Sequence, residues 1–131
     1  MVEKLLVVDD ERLFGEGIKV LFAPEIRAGK IDVVCAYDGG EALNFVKADT
    51  NHEIEVILLD LKMPADKMDG FTFLKTLHEQ NIYIKTIIIT AYSTPENFRQ
   101  AIREQVLFFF TKPLQRLHNL KEVVEEALNC P

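Results

Sequence analysis

Val56-Ile57-Leu58-Leu59-Asp60-Leu61-Lys62-Met63-Pro64 decides the fold. Its four leading apolar residues, β-branched at the start, read as a short strand buried on both faces. The run stops at Asp60. Taken singly, a carboxylate closing an apolar strand is more often a helix cap or turn residue than a reacting group. Three other apolar runs change that balance. Leu5-Leu6-Val7-Val8 ends in Asp9-Asp10, Thr86-Ile87-Ile88-Ile89 ends in Thr90-Ala91, and Leu107-Phe108-Phe109-Phe110 ends in Thr111-Lys112-Pro113. If these strands lie parallel, their carboxyl ends gather three Asp, a Thr and a Lys on one rim.

The segments between the strands carry helical spacing. Leu13, Phe14, Gly17, Ile18, Leu21 and Phe22 give a first helix to about Phe22, and Pro24 and Gly29 bracket a loop. Ile31 to Ala36 is a further strand, Asp38-Gly39-Gly40 is turn chemistry, and Glu41 to Lys47 is a second helix. Asp69 is a candidate N-cap for a third helix that buries Phe73, Leu74 and Leu77, and Asn81 stops it. Thr94, Pro95 and Glu96 start a fourth helix with Phe98, Ala101 and Ile102 as its buried stripe. The last helix starts near Leu114 and carries Leu117, Leu120, Val124 and Leu128 inward. Five strands alternating with five helices predict a parallel sheet with helices on both faces. In such a sheet the ligand crevice lies at the carboxyl ends of the strands.

The chain has 131 residues, enough for one domain with a core, and its 48% apolar content contains no long apolar run. We therefore expect a single domain over residues 1–131, soluble, with no membrane association and no appended output domain. The start, Met1-Val2-Glu3-Lys4, leads straight into a strand and carries no signal-peptide pattern. A net charge of −6 and no Lys/Arg stripe argue against a nucleic-acid surface. Cys35 and Cys130 suggest neither a disulfide framework nor a zinc site, which fits a cytoplasmic protein. His52, His78 and His118 read as surface residues.

The rim chemistry is specific. Two carboxylates about 4 Å apart repel by roughly 4 kcal/mol at the effective dielectric of a protein surface. Asp9, Asp10 and Asp60 together need a counter-ion or a proton, and an all-oxygen set without His or Cys suits Mg2+. Lys112 offers a mobile positive charge to a phosphoryl oxygen, and Thr90 offers a hydroxyl donor. A carboxylate can itself be the nucleophile in phosphoryl transfer, and Asp60 is the candidate.

The ordered set Asp9-Asp10, Asp60 with Lys62-Met63-Pro64, Met68-Asp69-Gly70, Thr90-Ala91 and Lys112-Pro113 resembles the receiver domain of two-component response regulators over essentially the whole chain. The resemblance implies a flavodoxin-like sheet of order 2-1-3-4-5. It implies a signalling switch in a phosphorelay rather than a dedicated enzyme. Asp60 would take a phosphoryl group from the phosphohistidine of a sensor histidine kinase or phosphotransfer protein, or from acetyl phosphate. Asp10, Asp60 and the backbone carbonyl of Lys62 would bind Mg2+, with Asp9 helping. Lys112 would contact the phosphoryl group, and Thr90 and the aromatic Phe109 would shift toward the site. The surface of the fourth helix, fifth strand and fifth helix would change for a downstream effector, an output domain or a second copy in a homodimer.

Departures from the family pattern give further expectations. Ala65-Asp66-Lys67 stands where the family usually has one residue, so the loop beside Asp60 is longer. Gln105-Val106 replaces the usual Gly-Ala, so the fourth helix lacks a glycine at its C-terminal cap. Phe109 lacks the hydroxyl of the frequent Tyr and should prefer the buried position. Lys62 and Tyr92 occupy positions where the family tunes acyl-phosphate lifetime; they either shield the phosphoryl group from water or face solvent neutrally. A phosphatase of the haloacid dehalogenase kind would need an acid two residues after its nucleophile, where Lys62 stands. A flavodoxin would need a Ser/Thr/Gly-rich phosphate loop where Asp9-Asp10-Glu11 stands. A degenerate receiver that acts only as an interaction module is the remaining alternative.

Overall fold

The computed structural model describes residues 2–129; Met1 and the tail residue Cys130 lie outside them. Five strands, β1 (Glu3–Val8), β2 (Ile31–Ala36), β3 (Ile54–Leu59), β4 (Lys85–Thr90) and β5 (Phe108–Thr111), form one parallel sheet in the order β2-β1-β3-β4-β5. Six helices connect and cover it: α1 (Arg12–Leu21), α2 (Ala23–Arg27), α3 (Gly39–Ala48), α4 (Gly70–Glu79), α5 (Pro95–Arg103) and α6 (Leu117–Asn129). The expected strand order is therefore the observed one.

The period-two alternation of the strands divides the core. Leu5, Val7, Leu58, Ile87 and Ile89 point to one face, under Ile18 of α1, Phe22 and the α6 residues Leu120 and Val124. Leu6, Val8, Ile57 and Leu59 point to the other, under Ala42 and Val46 of α3 and Phe73, Leu74 and Leu77 of α4. Ile88 shares that second face with Leu61 and with Ala101 of α5. Each such fully buried Leu, Ile or Phe contributes roughly 1.5–3 kcal/mol relative to exposure.

Five local expectations are corrected. A sixth helix, α2, replaces the loop expected after Phe22, because Pro24 falls in its first turn, where a missing N–H costs nothing. Gly39 and Gly40 belong to α3 rather than to a turn: Asp38 caps that helix by accepting from the Glu41 N–H at 2.9 Å. Phe98 and Ile102 are 51% and 62% exposed, leaving Ala101 as the buried contact of α5. The sheet ends at β5, a four-residue strand, and among the described residues no further strand lies beyond to cover those side chains. Leu13 is exposed on α1, and α6 begins three residues later than expected, which leaves Leu117 exposed at its first position.

Candidate functional site

Parallel pairing builds the site. Val8 and Leu59 are register partners on adjacent central strands, so Asp9 and Asp60 leave the sheet side by side. The Asp60 N–H donates to the Val8 carbonyl at 2.9 Å, and the Asp9 N–H donates to the Ala36 carbonyl at 3.0 Å. Both carboxylates are buried, at 3% and 7% relative exposure. Each also accepts a local backbone bond that fixes its direction: Glu11 N–H to Asp9 Oδ1 at 2.9 Å, and Leu61 N–H to Asp60 Oδ1 at 2.7 Å. Gly70 makes room for this strand end. A Cβ there would stand 2.3 Å from the Asp60 carbonyl oxygen.

Lys112 follows β5, and its own N–H donates to the Thr90 carbonyl at 2.8 Å, which ties it to the end of β4. The Lys112–Pro113 peptide is cis. The Lys112 Nζ donates to Asp9 Oδ2 at 2.6 Å, to Asp60 Oδ2 at 3.1 Å and to Glu11 Oε1 at 3.4 Å. Burial opposes its charge, but the hydrogen bond to Asp9 and the charge of Asp60 outweigh it and hold the ammonium well above the usual lysine range. Burial pushes the Asp9 carboxyl up, and the bonds from Lys112 and the Glu11 N–H offset this in part.

Asp9, Glu11 and Asp60 each present an oxygen within 4.8 Å of the others. Three carboxylates, Asp9 and Asp60 buried and Glu11 exposed, stand against one ammonium and leave two negative charges at the rim. At that spacing the buried Asp9–Asp60 pair costs about 3 kcal/mol at an effective dielectric of 20, and the pairs with exposed Glu11 cost less. A hard, all-oxygen donor set with uncompensated negative charge fits a divalent cation of the Mg2+ type. Glu11 is the member that sequence reasoning missed. It was readable only as the third acid of Asp9-Asp10-Glu11, and the chain's turn into α1, not its position in the motif, brings it back over the rim. Asp10 is exposed and stands outside that carboxylate group.

Thr90 is fully buried, and its hydroxyl oxygen accepts from the Tyr92 N–H at 3.2 Å. That bond leaves the hydroxyl proton free to donate. Lys62 and Tyr92 are exposed but touch, with the Lys62 Nζ 4.7 Å from the ring centroid. They line an open cavity of about 390 Å³ beside Leu61, with Phe71 and Asn97. Phe109 is half-buried against the Ile88 and Ala101 cluster, with its ring edge-on to Phe98 at 5.7 Å. His52 and His118 are exposed, whereas His78 is half-buried, 2.8 Å from a Glu104 oxygen and stacked on Tyr83.

The comparisons with known proteins agree with this geometry. Residues 5–125 match the family model of the response regulator receiver domain. The chain belongs to that family. This receiver domain is 30% identical to the sporulation initiation phosphotransferase F of Bacillus subtilis, over 98% of this chain and 95% of that protein. It is 32% identical to the transcriptional regulatory protein ZraR of Escherichia coli, of which it spans 26%. The chain thus spans nearly all of one relative and only about a quarter to a half of several others. Among solved structures it resembles a Francisella response regulator receiver domain, with a TM-score of 0.76 and 30% identity over 96% of this chain and 93% of that one. It also resembles a Borrelia burgdorferi CheX-CheY-BeF3-Mg complex, at 0.78 and 26%, over 95% and 88%. Among the described residues no helix is long and apolar enough to cross a membrane.

Proposed function

We propose that this receiver domain is a phosphoacceptor switch of a two-component phosphorelay, with Asp60 as the acceptor. The observation that carries this reading is Lys112, whose ammonium bridges the buried Asp9 and Asp60 carboxylates from 103 and 52 residues away. An Asp60 oxygen attacks the phosphorus of a sensor kinase's or phosphotransfer protein's phosphohistidine. The new O–P bond forms as the P–N bond breaks, and the imidazole leaves with the bonding pair. With acetyl phosphate the leaving group is acetate. When bound, Mg2+ supplies positive charge that offsets the phosphoryl oxygens and the acid cluster. Asp9, Asp60 and the Lys62 carbonyl would hold it, the exposed Asp10 would join them from outside the resting carboxylate group, and Glu11 would add its charge from the rim. Lys112 follows the negative charge from the carboxylates to a phosphoryl oxygen, and its bonds to Asp9 and Asp60 mark the resting arrangement.

Thr90 then donates its free hydroxyl proton toward the new oxygens. Phe109 follows into the space vacated, and the face of α5, β5 and α6 changes for its reader. That face already presents Phe98, Ile102, Phe108 and Leu117 to solvent, a surface suited to an effector, an output domain or a second copy. The coupling is a local charge event that biases a two-state element. The Lys62–Tyr92 contact lines the cavity beside Leu61, the residue after Asp60, where it slows the approach of water to the acyl phosphate. The setting is a cytoplasmic signalling pathway.

The test uses beryllofluoride with Mg2+ as a phosphoryl mimic, read by amide NMR. Large shifts at Thr90, Phe109 and α5 that vanish in Asp60→Asn are expected. Amide shifts confined to the residues next to Asp9 and Asp60, or unchanged in Asp60→Asn, contradict the switch.

A further inference from the structure

Lys112 is held from two chemically different sides. Its three N–H groups face oxygens of Asp9, Asp60 and Glu11. The ring of Phe14 takes another flank, with its centroid 4.6 Å from Nζ. Phe14 is not on the strand rim that carries the other groups. It comes from the first turns of α1, is half-buried against the core, and donates its N–H to the Glu11 carbonyl at 3.1 Å. Its place is fixed by its neighbour. Gly15 brings α1 so close to β2 that a Cβ there would meet Cys35 Sγ at 2.8 Å.

We infer that Phe14 is a positioning residue for Lys112, a cation–π platform that keeps the ammonium over Asp60 while its hydrogen-bond partners change; this rests on the phosphoacceptor reading above. The chemistry is particular to an aromatic ring. A carboxylate or carbonyl holding Lys112 would occupy one of its three donors, and every donor given to a fixed acceptor is lost to an incoming phosphoryl oxygen. A ring face attracts the cation without consuming a donor, and it excludes water from that flank. The lysine stem is long and flexible, with several rotatable bonds to order. With the platform in place the ammonium transfers its bonds from carboxylate to phosphoryl oxygens without a search. The side-chain exposure of Lys112, 14%, places the contact in a partly desolvated setting, where cation–π attraction is stronger than at an open surface.

The test compares wild type, Phe14→Leu and Phe14→Tyr. Leu keeps the apolar bulk without the ring face, and Tyr keeps the ring. In the unphosphorylated protein the Lys112 ε-methylene protons are expected to be ring-current shifted upfield in wild type and Phe14→Tyr, and to lose that shift in Phe14→Leu. With acetyl phosphate and Mg2+, Phe14→Leu is expected to phosphorylate about fivefold more slowly, Phe14→Tyr to recover wild-type rate within about twofold, and both to melt alike. An unshifted ε signal in wild type overturns the platform whatever the rates are. Rates that fall equally in Leu and Tyr, or do not fall in Leu, overturn the positioning role with the contact intact. A wild-type chain that gains no phosphoryl group, with the ε signal shifted, overturns the phosphoacceptor reading and the role that depends on it.

Discussion

Gln105 closes α5 with a φ of 61°, the left-handed region that favours glycine. Its N–H donates to the Ile102 carbonyl at 3.0 Å, and the Val106 N–H donates to the Ala101 carbonyl at 3.2 Å. The pair of bonds is a complete Schellman closure. A non-glycine residue in that conformation carries a cost of about 1 kcal/mol. Gln105→Gly is therefore expected to raise stability by about 1 kcal/mol in urea melts, with the site unchanged. Gly70 has the opposite constraint. Gly70→Ala drives a methyl group into the backbone of Asp60, so it is expected to cost roughly 2 kcal/mol or more and to lower phosphorylation as well. Wild-type stability for Gly70→Ala in the same melts contradicts the close packing described. Residue-level signals of this kind are partly legible in sequence. The missing glycine at 105 is visible there, but its consequence is not, because only the fold shows that Gln105 takes the strained conformation instead of shortening the helix.

At the scale of elements, the caps show how firmly sequence dictates local structure. Asp69 accepts from the Thr72 N–H at 2.8 Å and Thr94 accepts the Asn97 N–H at 3.1 Å, as their residue types and positions indicate. Asp69→Ala is expected to cost about 1 kcal/mol in thermal or urea melts, since α4 then starts without a side-chain cap. Helical periodicity was less informative where an element lies at an edge. Phe98, Ala101 and Ile102 have the spacing of a buried stripe, yet α5 covers the margin of the sheet and only Ala101 finds neighbours to bury it. Phe98→Ser is expected to cost no more than about 1 kcal/mol, the loss of its edge-on contact with Phe109, while Leu74→Ala, in the core under α4, loses roughly 2–5 kcal/mol. Equal losses in the two variants contradict the exposed placement of α5's apolar side.

Across the whole molecule, strict alternation of strands and helices sufficed to indicate a parallel sheet, and the polar residues that end four of its apolar strands placed Asp9, Asp60, Thr90 and Lys112 at its carboxyl edge. Sheet order came from the family resemblance, because periodicity says nothing about which strands are neighbours. Glu11 and Phe14 were illegible as site residues for a related reason. Both lie on the chain's turn into α1, and their distance from Lys112 is set by how that helix docks on β2. The charge imbalance of the assembled rim has a thermodynamic consequence. Mg2+ at about 100 times its dissociation constant is expected to stabilise the domain by about 2.7 kcal/mol, seen as a higher melting temperature. Asp9→Asn is expected to remove most of that gain, and an undiminished Mg2+ effect in Asp9→Asn contradicts its place among the ligands.

The central claim is that Asp60 is the phosphoacceptor of an assembled, Mg2+-dependent site. Intact mass after incubation with acetyl phosphate, with and without Mg2+, on wild type and Asp60→Asn, tests it most directly. The account predicts one added phosphoryl group in wild type, only with Mg2+, and none in Asp60→Asn. A wild-type mass unchanged under those conditions, or a gain that persists in Asp60→Asn, contradicts it; the unchanged mass leaves a receiver fold that works through its surface alone.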